Sequence, residues 1–316
     1  MSITERRETV SPRDAAAGLP SLVLVTAPTG FAIVDKPAGM TSHDVVTRLR
    51  RLAGTRRVGH GGTLDPMATG VLVVAIGQIT RLLTYVSGRE KSYAATVRLG
   101  QSTLTDDAEG EITASADTGA VSDAAIRDGL AAMVGDIAQI PSAVSAVKID
   151  GKRAYKRVRD GEDVQLPPRQ VTISRLDVTG IARAEHLDVD IAVDCSSGTY
   201  IRAIARDLGA ALGVGGHLTA LRRTSVGDFT LDESATLDDL AARDFPVTHS
   251  TTRTVRRLLP CRTVDAESAR VLSHGGRLPP IGRHGPYAVL GPDDEVIGVV
   301  VERDGAARPE MVLPRS

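Results

Sequence analysis

Apolar positions along the chain follow two different periods, without the regular strand–helix–strand repetition of a doubly wound sheet. Strict alternation runs through Lys91–Leu99, with Tyr93, Ala95, Val97 and Leu99 on one face, and this predicts a half-buried strand. It recurs in His186–Asp194, where Leu187, Val189, Ile191 and Val193 alternate with Asp188, Asp190, Ala192 and Asp194. Phe31–Asp35 predicts a short apolar strand and Lys36–Met40 a Pro/Gly turn. Ser42 then stands where an N-cap belongs, ahead of a helix with Val45, Leu49 and Leu52 on one face. Val71–Ile76, between Gly70 and Gly77, is either a buried strand or a short buried helix, because a continuous apolar run has no period to decide it. Ser122 is expected to cap a helix with Ile126, Leu130, Met133 and Val134 inward, closed by Gly135. Tyr200–Leu212 returns to helical spacing through Ile201, Ile204, Leu208 and Leu212.

The two ends differ from this middle. Residues 1–28 mix charge, Pro, Gly and Ala without period and read as a flexible N-terminal tail. Pro246–Arg256 is polar and rich in Thr and Ser, the best linker candidate. Beyond it lie a short helical segment near Ala266–Leu272 and a hairpin signal, Tyr287–Leu290, Pro292-Asp293-Asp294, Val296–Val301. The expected fold class is α+β: a mixed, largely antiparallel central sheet flanked by helices over 29–247, and a small β-rich domain over 248–316.

With 316 residues and 42% hydrophobic content the chain can bury a large core. Its longest apolar runs fall far short of the roughly 20 residues of a membrane span, and Leu22–Val25 is too short for a secretory core segment. Two cysteines, Cys195 and Cys261, exclude a disulfide scaffold and fit a reducing, cytoplasmic setting. The formal net charge is −1, but the charges are segregated. Lys148, Lys152, Arg153, Lys156, Arg157 and Arg159 crowd one short run, and Arg48, Arg50, Arg51, Arg56 and Arg57 form a second basic cluster. Such clusters offer a phosphate-binding face on a neutral protein, or simply a solvated surface. Three Phe, five Tyr and no Trp argue against a protein that stacks many unpaired bases.

One segment invites chemistry: Gly59-His60-Gly61-Gly62-Thr63-Leu64-Asp65-Pro66. It lacks the Gly-Lys-Ser/Thr of a P-loop and the third glycine of a dinucleotide fingerprint. It offers one carboxylate, Asp65, before a proline and beside a buried element; by local pattern alone that is a turn residue. A carboxylate in an apolar wall needs a cation to stay ionised, and Arg202, just after Gly198-Thr199-Tyr200-Ile201, could supply a bidentate pair. His60 and Asp65 find no third His or Cys at metal-ligand spacing, so no metal site is expected. Thr103, Thr105 and Asp107 read as a local turn network, Cys195 as a buried apolar residue, and Asp293 with Asp294 as a hairpin tip.

The segment resembles the catalytic signature of the TruB family, the tRNA pseudouridine-55 synthases. Further blocks resemble that family in order: Asp35-Lys36-Pro37-Ala38-Gly39-Met40-Thr41-Ser42-His43-Asp44, Lys91-Ser92-Tyr93, Gln139-Ile140-Pro141 through Lys148, Cys195-Ser196-Ser197-Gly198-Thr199-Tyr200-Ile201-Arg202 and Leu221-Arg222-Arg223. The resemblance spans roughly residues 30–230. Gly61 departs from the Thr or Ala common there, a change conservative in size. The resemblance implies the pseudouridine synthase fold with a PUA-like C-terminal RNA-binding domain at 248–316. It implies isomerisation of the T-loop uridine of tRNA, extruded by base flipping, with no cofactor, metal or guide RNA, by a monomer. Asp65 is the implied catalytic residue, acting either on the sugar C1′ or through elimination. Tyr93 would stack on the base, Arg202 would pair with Asp65, Leu221 would wall the pocket, and His60 would take the extruded nucleotide's place. Lys36 and Pro37 would be structural. Tyr200 would line the pocket or merely pack, and Lys148 and Lys152 would contact the tRNA backbone. From another class comes an RNA-binding folding helper for tRNA in which isomerisation is secondary.

Overall fold

The computed structural model describes residues 29–142, 148–149, 152–153 and 166–314. The N-terminal tail 1–28 and the basic residues Lys156, Arg157 and Arg159 lie outside the described residues, as do the side chains of Lys148, Lys152 and Arg153.

Strands come in chain order as β1 (Gly30–Lys36), β2 (Val58–His60), β3 (Thr69–Ile76), β4 (Lys91–Leu99), β5 (Gln101–Thr103) and β6 (Ile112–Ser115). Next are β7 (Gly135–Gln139), the short pair β8 (Lys148–Ile149) and β9 (Lys152–Arg153), β10 (Arg169–Arg183), β11 (Leu187–Cys195), β12 (Gly216–Val226) and β13 (Phe229–Thr230). The C-terminal strands are β14 (Cys261–Thr263), β15 (Tyr287–Leu290), β16 (Val296–Arg303) and β17 (Ala306–Val312). Helices are α1 (Ser42–Leu52), α2 (Leu83–Ser87), α3 (Asp123–Ala131), α4 (Ile201–Ala211), α5 (Leu237–Ala241), α6 (Thr251–Leu258) and α7 (Ala266–Ser273).

The central sheet runs β1-β3-β12-β4-β11-β10-β7, with β2 added to β3 and β13 to β12. Its pairings are antiparallel except β3 with β12, which meet in parallel at Thr69–Arg222 and Gly70–Arg223. Val71–Ile76 is therefore a strand, sandwiched so that both parities are buried. Ala32, Val34, Leu72, Val74 and Ile76 pack on α1. Phe31, Ile33, Val71 and Val73 face the other way, onto α6 and the C-terminal strands through Val255, Leu258, Val299 and Met311. A third cluster seats α3 and α4 against β4, β11 and β12. The C-terminal sheet, β14-β15-β16-β17, also has its own small core around Tyr287 and Leu272.

Three local expectations are corrected. Thr41, not Ser42, is the N-cap of α1; its hydroxyl takes the Asp44 N–H while Asp44 returns to the Thr41 N–H in a capping box. Val134 is exposed and Gly135 opens β7 rather than closing α3, because α3 ends at Ala131 and the chain turns straight into an edge strand. Pro246–Arg256 is no free linker. Thr248 and His249 bond to Phe31 along the edge of β1, and Ser250 then caps α6 by accepting the Arg253 N–H. Packing of Val255 and Leu258 overrides the poor helix propensity of its threonines.

Glu233 locks this return. Its carboxylate accepts Arg257 at 2.8 Å on both oxygens, Arg253 at 3.0 Å and the buried His249 ring at 3.3 Å. Arg257 also lies over the Phe229 ring, 4.4 Å from its centroid. Burial pushes the Glu233 carboxyl up, but the hydrogen bonds from Arg257 and His249 outweigh it and hold the carboxyl below its ordinary range. A depressed carboxyl stabilises the fold above its unfolded value and loses that contribution as pH falls through the folded one. Glu233→Gln should therefore cost about 1–3 kcal/mol near neutral pH, the scale of lost charge-assisted hydrogen bonds. Urea denaturation at pH 7 and about pH 3 checks it: the gap between wild type and variant should shrink on acidification, and an equal gap at both would refute the assignment.

Candidate active site

The loop from Gly61 to Ala68 links β2 to β3, and hydrogen bonds hold it from three directions. Ser42 Oγ, freed from capping, accepts the Leu64 N–H at 2.8 Å and donates to the Leu64 carbonyl at 3.1 Å. The buried Lys36 ammonium donates to the carbonyls of Met40 at 2.6 Å, Pro37 at 2.9 Å and Pro66 at 3.2 Å. Arg223, 1% exposed, donates to the carbonyls of Val71 at 2.7 Å, Gly62 at 3.1 Å and Thr63 at 3.3 Å. At Gly61 a Cβ would stand 2.5 Å from Val86 Cγ1, so a larger residue there would need Val86 to shift.

Asp65 is thereby presented to Arg202, whose Nε lies 3.0 Å from Asp65 Oδ2. The guanidinium is not spent on Asp65 alone, as a bidentate pair would require. Its Nη1 donates to the Thr105 carbonyl at 2.8 Å and lies 3.2 Å from Oδ2 of the buried Asp107. Arg202 is 5% exposed in the first turn of α4, where a cation meets the unfavourable end of the helix dipole; the two carboxylates offset this. No side chain caps α4. Instead the Gln139 amide clasps its first peptide, accepting the Tyr200 N–H at 2.8 Å and donating to the Tyr200 carbonyl at 3.1 Å.

Around Asp65 opens a cavity of about 350 Å³, and Tyr93, Tyr200, Arg202, Leu221 and Arg223 are among its walls. Tyr93 and Leu221, 9% and 7% exposed, give the cavity an apolar wall. Lys91, Arg169, Arg202 and Arg223 also reach the lining, against the one acid Asp65, an electrostatic bias toward an anionic ligand. Burial raises the Tyr93 phenol and lowers both Lys91 and Lys36 to about 8. Burial also pushes the Cys195 thiol up to about 11, which leaves it a protonated core residue. Among the described residues no group of three or more His, Cys, Asp and Glu is placed to hold a metal ion.

The structure brings Asp65, Tyr93, Tyr200, Arg202 and Leu221 to this one cavity. His60 stands just behind it at the end of β2, half-buried, with Nδ1 accepting the Gly62 N–H at 3.4 Å and its pKa lowered by burial and by Arg223. Sequence reasoning passed over Asp107 and Arg223. Asp107 does sit in the expected turn network, with Thr103 donating to its carbonyl at 2.7 Å, while its far oxygen faces Arg202. The signal for Arg223 was parity: it shares the inward face of β12 with Leu221, as Lys91 shares that of β4 with Tyr93.

Both buried lysines bind their protons less tightly folded than unfolded. Between pH 8 and the ordinary lysine value near 10.4 the unfolded chain therefore holds more protons, and stability rises with pH. In Lys91→Met the slope of unfolding free energy against pH, over about pH 8–10, should fall by up to about one proton's worth. Denaturant titrations of variant and wild type read it, and parallel curves would contradict the burial assignment.

Comparison with known proteins follows the same lines. Residues 50–201 match the model of the TruB family pseudouridylate synthase (N-terminal domain), 202–263 the tRNA pseudouridylate synthase B C-terminal domain, and 259–314 the tRNA pseudouridine synthase II C-terminal model. The chain is 54% identical over 292 residues to tRNA pseudouridine synthase B of Thermobifida fusca, covering 91% of this chain and 99% of that protein. It is 53% identical over 300 residues to the protein of the same name from Arthrobacter sp., covering 91% and 97%. A chain in the crystal structure of a Cbf5-Nop10-Gar1 complex superposes with a TM-score of 0.68 at 26% identity, covering 90% and 84%. One in an H/ACA RNP bound to a substrate RNA containing 2′-deoxyuridine gives 0.67 at 25%, covering 90% and 85%. With its catalytic-signature loop folded around one paired aspartate and near-full-length likeness to these relatives, the chain belongs to the TruB family of pseudouridylate synthases.

Proposed function

We propose that this protein converts the T-loop uridine of tRNA, position 55, to pseudouridine, and that Asp65 is its catalytic residue. The observation that carries this reading is the Asp65–Arg202 pair at 3.0 Å on the floor of a cavity walled by Tyr93 and Leu221. The relatives named tRNA pseudouridine synthase B supply the substrate class. The reaction breaks an N-glycosidic bond and forms a C–C bond to the same sugar, with no net redox change. It needs an anionic group beside the sugar, a base held while it turns, and exclusion of water. Asp65 supplies the first and Tyr93 with Leu221 the second, whether the carboxylate attacks C1′ or assists elimination. Extrusion of the nucleotide costs a few kcal/mol, which stacking on Tyr93 and phosphate contacts offset. One tyrosine suffices, which accommodates so few aromatics in an RNA enzyme.

The T-stem-loop is recognised by shape and backbone, with His60 entering the space of the extruded nucleotide, Tyr200 lining the entrance, and Lys148 and Lys152 on phosphates. Residues 29–247 act as the catalytic body and 248–316 as an RNA-contacting module. The protein works as a cytoplasmic monomer without guide RNA, metal or cofactor. No described helix is long and apolar enough to cross a membrane.

The test is an unmodified tRNA transcript incubated with protein alone, with pseudouridine mapped by sequencing. Wild type should convert one T-loop uridine, and Asp65→Asn none, while still binding the transcript. Binding without conversion by wild type would instead favour a folding helper or a missing partner. Asp107→Asn should bind normally yet slow single-turnover conversion about 100-fold, because a loosened Arg202 misplaces the carboxylate. Wild-type rates in that variant would show that Asp107 serves only the turn.

A further inference from the structure

Arg223 differs from its neighbours Arg202 and Arg222. Arg202 and Arg222 each face carboxylates, Asp65 with Asp107 and Asp35 respectively. Arg223 is the more deeply buried, at 1% exposed, and among the described residues it makes no salt bridge. An uncompensated guanidinium in a protein interior is costly, and an apolar residue of similar volume would fill the space more cheaply. What a guanidinium uniquely supplies is a rigid fork of five N–H donors. Three of them go to the carbonyls of Val71, Gly62 and Thr63, the last two within three residues of Asp65.

Two donors remain, one on each Nη. Arg223 stands directly opposite Tyr93 in the antiparallel ladder of β12 with β4, and both side chains line the cavity. Burial raises the Tyr93 phenol while the Arg223 cation opposes that rise. Bare backbone at Gly70 permits this placement, since a Cβ there would stand 2.2 Å from the Arg223 carbonyl oxygen.

We infer that Arg223 is a positioning residue for the isomerisation. It ties the hydroxyl end of Tyr93 to the carbonyls of the loop that carries Asp65, so that stacking ring and carboxylate keep one fixed separation while the base turns. The inference rests on the proposed pseudouridine synthase activity and adds to it the element that sets the mutual geometry of its two reacting surfaces. Such a residue affects turnover rather than RNA binding.

A double-mutant cycle tests it. Arg223→Lys keeps the charge but not the fork. It should lower the single-turnover rate about 100-fold, with the tRNA Kd within about threefold. In a Tyr93→Phe background, where the hydroxyl link is already gone, the same substitution should cost less than about tenfold. Arg222→Lys, on the opposite face of β12, is the control and should stay within about twofold of wild type. Equal losses in both backgrounds would overturn the inference, leaving Arg223 as loop packing, and so would an unchanged rate in Arg223→Lys. Should Arg223→Lys not fold, nitrogen-15 NMR of arginine side chains decides the matter on wild type and Tyr93→Phe. A slowly exchanging Nη signal that shifts on loss of the hydroxyl supports the tie, and identical spectra refute it. Wild type that makes no pseudouridine would fault the functional reading instead, and the NMR comparison would still decide whether the tie exists.

Discussion

A guanidinium held between two carboxylates beneath an apolar-walled cavity is the constraint around which the protein is arranged. Asp65 shares its cavity with Tyr93 and Leu221, and the cation that faces it there is Arg202. Arg202 supplies the counter-charge, but a long side chain free to swing would supply it poorly. Asp107 and the Thr105 carbonyl grip its far edge, leaving Nε for Asp65. That grip requires the Thr103–Asp107 turn off β5, and it requires α4 to begin at a fixed point. The Gln139 amide at the end of β7 fixes that point. Three segments far apart in sequence thus converge on one cation, and each uses backbone carbonyls and N–H groups whose positions the sheet register sets.

The carboxylate's own side of the pair is built differently. Its loop contains no regular structure, so its backbone groups need partners from elsewhere. Ser42, Lys36 and Arg223 provide them, and two of the three are buried cations acting on carbonyls rather than on acids. The resulting surplus of positive charge lies at and around the cavity. It suits a polyanionic substrate whose phosphates arrive from outside. A chain with formal net charge −1 can therefore still present a basic site, because its acids sit elsewhere.

The alternating strands were legible because one parity is apolar and the other is not: Lys91–Leu99 is β4 to the residue, and the His186–Asp194 pattern is β11 displaced by one. The loop that carries Asp65 was legible only through family resemblance, since a lone Asp before Pro carries no periodicity. Two hydroxyls in succession, Thr41 and Ser42, could each cap α1; which one does so depends on Leu64, 22 positions away, drawing Ser42 inward. Asp107 was hidden for a related reason. One of its carboxylate oxygens makes the local turn that the sequence suggests, and the other makes a contact set by tertiary structure. The stretch 246–256 looked like a linker because its apolar stripe is thin, and only the exposed face of β1 gives that stripe something to cover.

That last point bears on how the two sheets act together. β1 and β3 form a middle layer, with Ala32, Val34 and Leu72 on one side and Phe31, Ile33 and Val71 on the other. The first side is covered by α1, whose start carries the Ser42 staple; the second is covered by α6 and the C-terminal strands. Removing the C-terminal module would bare Phe31, Ile33, Val71 and Val73, so the module is part of the core that holds β3 and hence the end of the Asp65 loop. Glu233 and Arg257 fasten the same joint with charge. A shared core of this kind leaves little freedom between module and cavity. For an enzyme that acts on a folded RNA, a fixed distance between the cavity and any second contact turns rigidity into selectivity, because an RNA with the wrong spacing can satisfy one contact only by abandoning the other.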